Sequence, residues 1–218
     1  MRRAAAALAL ILAFGAPTGA TGETDVGTTD ALRRAGLVPV RDVSPGLVLD
    51  IRYATRDNFT GRPLSGYCNP WALLRPDAAR ALGRVQRRLA ADGDGLKVFD
   101  AYRPARGTRS MVRWAQRSGN EHLLNGYIAR RSNHNRGSAV DLTLLKKGRA
   151  AGMGTAYDSF SPRAATRNAG GLVLRNRLRL VRAMEAEGFR NYSREWWHFD
   201  FPALSGAARL DVPLCTGR

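Results

Sequence analysis

The chain has 218 residues, 44% of them hydrophobic, which is enough for one domain with its own core and excludes a largely disordered protein. The formal net charge is +17 at pH 7, but it is spread along the chain, mostly as arginine, with no dense basic run interleaved with aromatics. Nucleic-acid binding is therefore not expected, and the charge points at most to loose association with anionic cell-envelope polymers.

The N-terminus reads as an export signal. Arg2 and Arg3 form a positive start, Ala4 to Ala16 an apolar stretch too short to cross a bilayer, and Thr18-Gly19-Ala20 a small-residue cleavage site. The alternative is an uncleaved N-terminal anchor. Residues 1–20 are thus assigned to a signal peptide, 21–29 to a flexible lead-in and 30–218 to one domain, periplasmic or secreted. No later segment is long and apolar enough to span a membrane, so no transmembrane segment is expected in the mature chain. Cys68 and Cys215 both lie in the exported part, where oxidising conditions favour a disulfide; two free thiols are the alternative.

In chain order, residues 30–37 are predicted as a short helix capped by Thr29 or Asp30, and 47–53 as a strand of alternating polarity. Residues 54–70, rich in Gly, Pro, Asn and Thr, form a long loop. Pro76 opens a helix running to about Ala91, with Ala79, Leu82, Val85 and Leu89 on one face and Gly93 and Gly95 beyond its end. Residues 96–102 read as a strand, and 108–117 as a helix with Met111, Trp114 and Ala115 inward. Residues 139–145 are a strand, 174–186 a helix stopped by Gly188, and 196–201 a final strand ended by Pro202. There is no regular β-α-β rhythm and no Gly-rich phosphate loop. The expected fold class is α+β, a single domain with a mainly antiparallel sheet flanked by helices.

The chain has only three histidines, and two stand in unusual settings. The first is Ser132-Asn133-His134-Asn135-Arg136-Gly137-Ser138-Ala139-Val140-Asp141. Here Val140, Leu142 and Leu144 must face the core, so Asp141 faces the opposite surface. A loop closed by Gly137 can bring His134 back over Asp141, giving a nitrogen and oxygen pair at the sheet. The second is Glu195-Trp196-Trp197-His198. In a plain strand residues three apart point to opposite faces, so both meet one site only if Glu195 lies on the bend before the strand. His198 is then a third ligand, with Glu195 just beyond bonding distance. Two His and one carboxylate with an open fourth position is a catalytic zinc arrangement, in which a bound water has its pKa lowered to about 7. Glu195 would take a proton from that water and pass it to the leaving amine. Either motif alone is weak, since a lone His is more often structural; together they support one zinc ion per chain. His122 has neither carboxylate nor glycine context and is assigned no role.

A third element is Val98-Phe99-Asp100-Ala101-Tyr102-Arg103-Pro104. The proline holds Arg103 extended at a strand end, where its fork can face a carbonyl oxygen gaining negative charge. A surface salt bridge explains the residue equally well at this point.

Together these elements resemble the zinc D-Ala-D-Ala peptidase family, most closely its VanX-type D-alanyl-D-alanine dipeptidases. The shared pattern is S-x-H-x-x-G-x-A-x-D followed much later by E-x-x-H. Supporting stretches are Arg52-Tyr53-Ala54-Thr55, Asp57-Asn58-Phe59-Thr60-Gly61, Asp100 to Pro104 and Met153-Gly154, so the likeness runs from about Leu49 to Phe201. Residues 159–170 depart from the pattern more than the motifs do. The resemblance implies zinc on His134, Asp141 and His198, Glu195 as acid/base, and Arg103 as stabiliser of the tetrahedral intermediate. It also implies substrate contacts from Tyr53, Ser132 and Asp158, with Asp158 taking the ammonium of a small dipeptide. The runner-up expectation is a D,D-carboxypeptidase or endopeptidase acting on peptidoglycan stem peptides.

Overall fold

The computed structural model describes residues 23–215; the signal assigned to residues 1–20 lies outside them. Helix α1 spans Glu23–Arg34, so the stretch to Thr29, read as a flexible lead-in, is helical from Glu23 onward. Gly36 ends the helix before Leu37: at φ 77° it lets its N–H reach Arg33 O while the Leu37 N–H reaches Leu32 O, which satisfies the last carbonyls. Strand β1 (Val38–Pro39) leads into the short helix α2 (Val40–Val43) and strand β2 (Val48–Leu49).

The strand expected over 47–53 is therefore cut to two residues. After Asp50, whose carboxylate binds Arg52 and Lys97, the chain folds into a 3-10 turn at Arg52–Ala54. Strand β3 (Leu73–Leu74) pairs with β1, and helix α3 (Pro76–Ala90) starts with its proline in the first turn, as expected. Strand β4 (Asp94–Asp100), helix α4 (Ala105–Arg117), strand β5 (Ala139–Lys146) and strand β6 (Arg149–Ala150) follow. In α4 Met111 and Ala115 are buried, whereas Trp114 is only half-buried. Helix α5 (Gly171–Glu185), strand β7 (Arg190–Asn191) and strand β8 (His198–Asp200) complete the elements.

The main sheet has the order β2-β4-β5-β8-β7, with β6 hairpinned onto the far end of β5. Only β2 runs parallel to its neighbour; the other pairs are antiparallel. The α+β expectation holds. Helices α3 and α5 pack against the sheet, and Leu82, Val85, Leu96, Leu142, Leu180 and Met184 make the core between them. β5 is buried at every residue but its last, so its Asp141 face is also covered.

Cys68 and Cys215 are bonded, 147 residues apart in sequence. The bridge fastens a C-terminal strap along the core. Leu214 pairs with Tyr67, Val212 O accepts from the Tyr102 hydroxyl, and the Leu210 N–H donates to Asn135 O at 2.7 Å. No helix among the described residues is long and apolar enough to cross a membrane.

Candidate metal centre and active site

Sheet register assembles the site. A β-bulge between Val98 and Asp100 brings Asp100 opposite Asp141, and Asp141 pairs in turn with His198. Asp100, Asp141 and His198 thus form one row across β4, β5 and β8. His134 arrives from the preceding loop. There Ser132 Oγ accepts from the His134 N–H, starting a 3-10 turn over Asn133–Arg136, and Gly137 closes it at φ 67°. The turn is pinned to the Arg103 segment, with the Arg103 N–H donating to His134 O and the Asn135 amide to Arg103 O.

The hydrogen bonds of the two imidazoles decide what they can hold. His134 Nδ1 lies 2.6 Å from the Ala101 carbonyl oxygen, which can only accept, so the proton is on Nδ1 and Nε2 presents a lone pair. His198 Nε2 lies 3.1 Å from Asp200 Oδ1, which leaves Nδ1 bare in the neutral ring. His134 Nε2 and His198 Nδ1 are 3.2 Å apart, and each faces Asp141 Oδ1, at 3.3 and 2.9 Å. Converging lone pairs repel unless positive charge lies among them. A tetrahedral ion with nitrogen and oxygen bonds of about 2.0–2.1 Å sets its ligands about 3.3 Å apart, close to these edges. The donor set therefore fits such an ion. Burial opposes a charged imidazole at His198, yet Asp141 and Asp200 push its pKa well above the ordinary value. The cluster calls for a cation, as proton or as metal.

Glu195 sits on the bend before β8, where two successive turns run from Tyr192 O to the Glu195 N–H and from Glu195 O to the His198 N–H. That bend also shortens the final strand, because Trp196 and Trp197 belong to the turn and not to β8. The Glu195 carboxylate is buried and lines the cavity without a protein hydrogen bond among the described residues. Burial raises its pKa to about 7 against the pull of His198; Asp141 adds to the rise and Arg103 opposes it.

Arg103 is a buried cavity residue, which removes the surface salt bridge as its explanation. Its Nε and Nη2 donate to Asp100 Oδ2 at 2.9 and 2.8 Å, and the Tyr67 hydroxyl donates to Asp100 Oδ1 at 2.6 Å. Tyr53 lies under the guanidinium at 5.0 Å and donates from its hydroxyl to both oxygens of Asp158, at 2.9 and 3.1 Å. Asp158 holds φ at 58°, a left-handed conformation that few non-glycine residues adopt. Burial, with help from the charge of Asp141, raises the Asp158 pKa well above its ordinary value.

All eight residues singled out in the sequence (Tyr53, Arg103, Ser132, His134, Asp141, Asp158, Glu195 and His198) line one cavity of about 280 Å³. His122 is exposed on a 3-10 turn far from any motif partner in sequence.

Comparison with known proteins agrees with this geometry. Residues 33–211 match the family model described as D-ala-D-ala dipeptidase. The chain belongs to this family of metallopeptidases. A Streptomyces coelicolor protein named D-alanyl-D-alanine dipeptidase is 38% identical over 178 residues, 73% of this chain and 88% of its own length. Proteins of the same name from Enterococcus faecium and Escherichia coli are 35% and 33% identical, over 75% and 76% of this chain and 90% and 84% of theirs.

Within this family frame, four supporting residues escaped the sequence reading. Asp200 holds His198; the two alternate along β8 and so share a face, a period-two signal present in the sequence. Asp100 holds Arg103. Arg177, almost fully buried on α5, donates to the carbonyls of Met153, Ala165 and Arg163 and so ties down the loop that carries Tyr157 and Asp158. Tyr157 donates from its hydroxyl to Asp141 Oδ2 at 2.9 Å and stacks on Phe99 at 4.7 Å. With Oδ2 so engaged, Oδ1 is left to face the imidazoles. Tyr157→Phe keeps the stacked ring and removes only that donor. Metal affinity should fall about 10–100-fold, read by competition with a chromophoric chelator, with little change in melting of the metal-free chain. Unchanged affinity would show that Asp141 needs no such support.

Proposed function

We propose that this protein hydrolyses the D-alanyl-D-alanine dipeptide to two D-alanines, using one zinc ion on His134, Asp141 and His198. One observation carries the reading. The three-ligand cluster, an unpartnered buried carboxylate at Glu195 and an anionic corner at Asp158 share a cavity at the small end of ligand sites. The names of the relatives support the same substrate.

When bound, zinc supplies a Lewis acid and a water whose pKa is lowered toward about 7. Glu195, free of hydrogen bonds among the described residues, takes a proton at its carboxylate and returns it to the leaving amine. Arg103 is held by Asp100 through two donors, while among the described residues its Nη1 donates only to the thioether of Met111 at 3.2 Å, a weak acceptor that a developing oxyanion can replace. Asp158, oriented by Tyr53, pairs with the substrate ammonium, and Ser132 holds the His134 turn at the cavity wall. A peptide extended at its N-terminus brings no ammonium to that depth and leaves the Asp158 charge unpaired. The disulfide and the apolar N-terminus support action in an oxidising compartment outside the cytoplasm.

Purified protein with zinc and D-Ala-D-Ala should release D-alanine. N-acetyl-D-Ala-D-Ala should be cleaved about 10²-fold less efficiently or worse. Undiminished cleavage of the acetylated compound would instead favour a D,D-carboxypeptidase or endopeptidase on stem peptides. No release from either would leave a wall-binding module as the better reading.

A further inference from the structure

We propose that a second cleft, separated from the catalytic cavity by the Phe59–Trp114 pair, binds a polyol phosphate polymer. Phe59 lines the catalytic cavity and packs edge-on against Trp114 at 4.8 Å; Trp114 lines the second cleft, whose volume is about 290 Å³. The cleft is lined by Arg62, Arg113 and Arg117 beside the hydroxyl-bearing Thr60 and Ser110, and among the described residues no acidic one lines it.

The arrangement is built into the fold. Ser110, Arg113, Trp114 and Arg117 stand at i, i+3, i+4 and i+7 on α4 and form one stripe along that helix. Arg62 comes from the opposing loop, where its carbonyl accepts from the Asn58 amide at 3.0 Å and the Thr60 hydroxyl at 2.9 Å, so its backbone is fixed. On the same helix, Arg106 and Arg109 both form ion pairs with Asp211. Arg62, Arg113 and Arg117 form no ion pair among the described residues; Arg113 donates only to the Ser110 hydroxyl. Like charges four apart on a helix repel, and an anion lying between them removes that cost.

Arg113 and Arg117 are about 6 Å apart along the helix axis and Arg62 lines the same cleft, so the positive charge is spread over a length that a chain of repeated phosphates can span. The half-buried indole gives an apolar floor for the polyol or sugar between phosphates. Nucleic acid has the same phosphates, but among the described residues this cleft offers one aromatic, already packed on Phe59, and no second ring for a successive base.

The test is calorimetric titration of the full chain with poly(glycerol phosphate) at about 0.15 M salt. Combining Arg62→Gln, Arg113→Gln and Arg117→Gln should raise the dissociation constant about tenfold or more. A second variant combining Arg149→Gln, Arg167→Gln and Arg175→Gln loses the same charge from exposed positions elsewhere and should stay within about twofold of the parent. Circular dichroism on both variants separates loss of binding from loss of fold. Equal weakening in the two variants would reduce the effect to bulk charge and overturn the site. Tighter binding of a single-stranded oligonucleotide than of the polymer would also overturn it.

Discussion

Glu195→Gln should keep one metal ion per chain and lose about 10²–10⁴-fold in kcat. The amide has the same shape and enters a position where the carboxylate makes no hydrogen bond among the described residues, so packing and the three ligands are untouched. What disappears is the ability to take a proton. The pH dependence is a second readout. Burial raises the Glu195 pKa from 4.5 to about 7, and the base form is the one required, so parental kcat/KM falls as pH drops through the residue's pKa. A bound divalent cation attracts the carboxylate and moves that limb below pH 7. The variant should lack the limb.

Stability of the metal-free chain moves in the opposite sense. A carboxylate with a raised folded pKa contributes stability below its unfolded value and loses it as pH rises through the folded one. The shift from 4.5 to about 7 corresponds to about 3 kcal/mol. Metal-free Glu195→Gln should therefore melt above the metal-free parent at pH 8 and beside it at pH 4. A variant retaining more than about a tenth of parental turnover would remove Glu195 from the proton transfer.

His134→Ala should lose the metal altogether, and turnover with it. His134 supplies one of three converging atoms, and its Nδ1–H bond to the Ala101 carbonyl fixes which nitrogen faces the ion. Two remaining donors leave an open, solvated site with far weaker hold on the ion. Elemental analysis after dialysis reads the result, and Asp141→Asn gives a second test that removes charge with little change in volume. One tightly bound ion per chain in both variants would contradict the ligand set.

The site was more legible than the strands around it. Glycine at 137 and a carboxylate on the face opposite Val140, Leu142 and Leu144 implied a His134 loop folding back over β5, because side-chain alternation leaves no other way for both to meet. Likewise the spacing of Glu195 and His198 required a bend between them, and the consecutive turns there supply it. Strand length was less legible, since apolar alternation at 47–53 persists through a 3-10 turn where Asp50, Arg52 and Lys97 redirect the chain. The bulge that aligns Asp100 with Asp141 leaves no local signature, because it depends on pairing between strands some 40 residues apart. Arg177 was hidden for a related reason. An arginine on a helix reads as solvent-facing, and only the tertiary arrangement shows the loop carbonyls it satisfies.

The cysteine bridge bears on how the protein can be produced. Closing a loop of 147 residues limits the unfolded chain by an amount worth about 5 kcal/mol in the entropic account, comparable to a whole small domain's margin. A host that keeps thiols reduced would yield a chain whose tail is moored only by hydrogen bonds, the Asp211 ion pairs and the buried Leu214 side chain. Because Leu210 in that tail touches Asn135 beside His134, its fraying would be felt at the imidazole. An affinity tag belongs near the other end, after the residues assigned to the export signal.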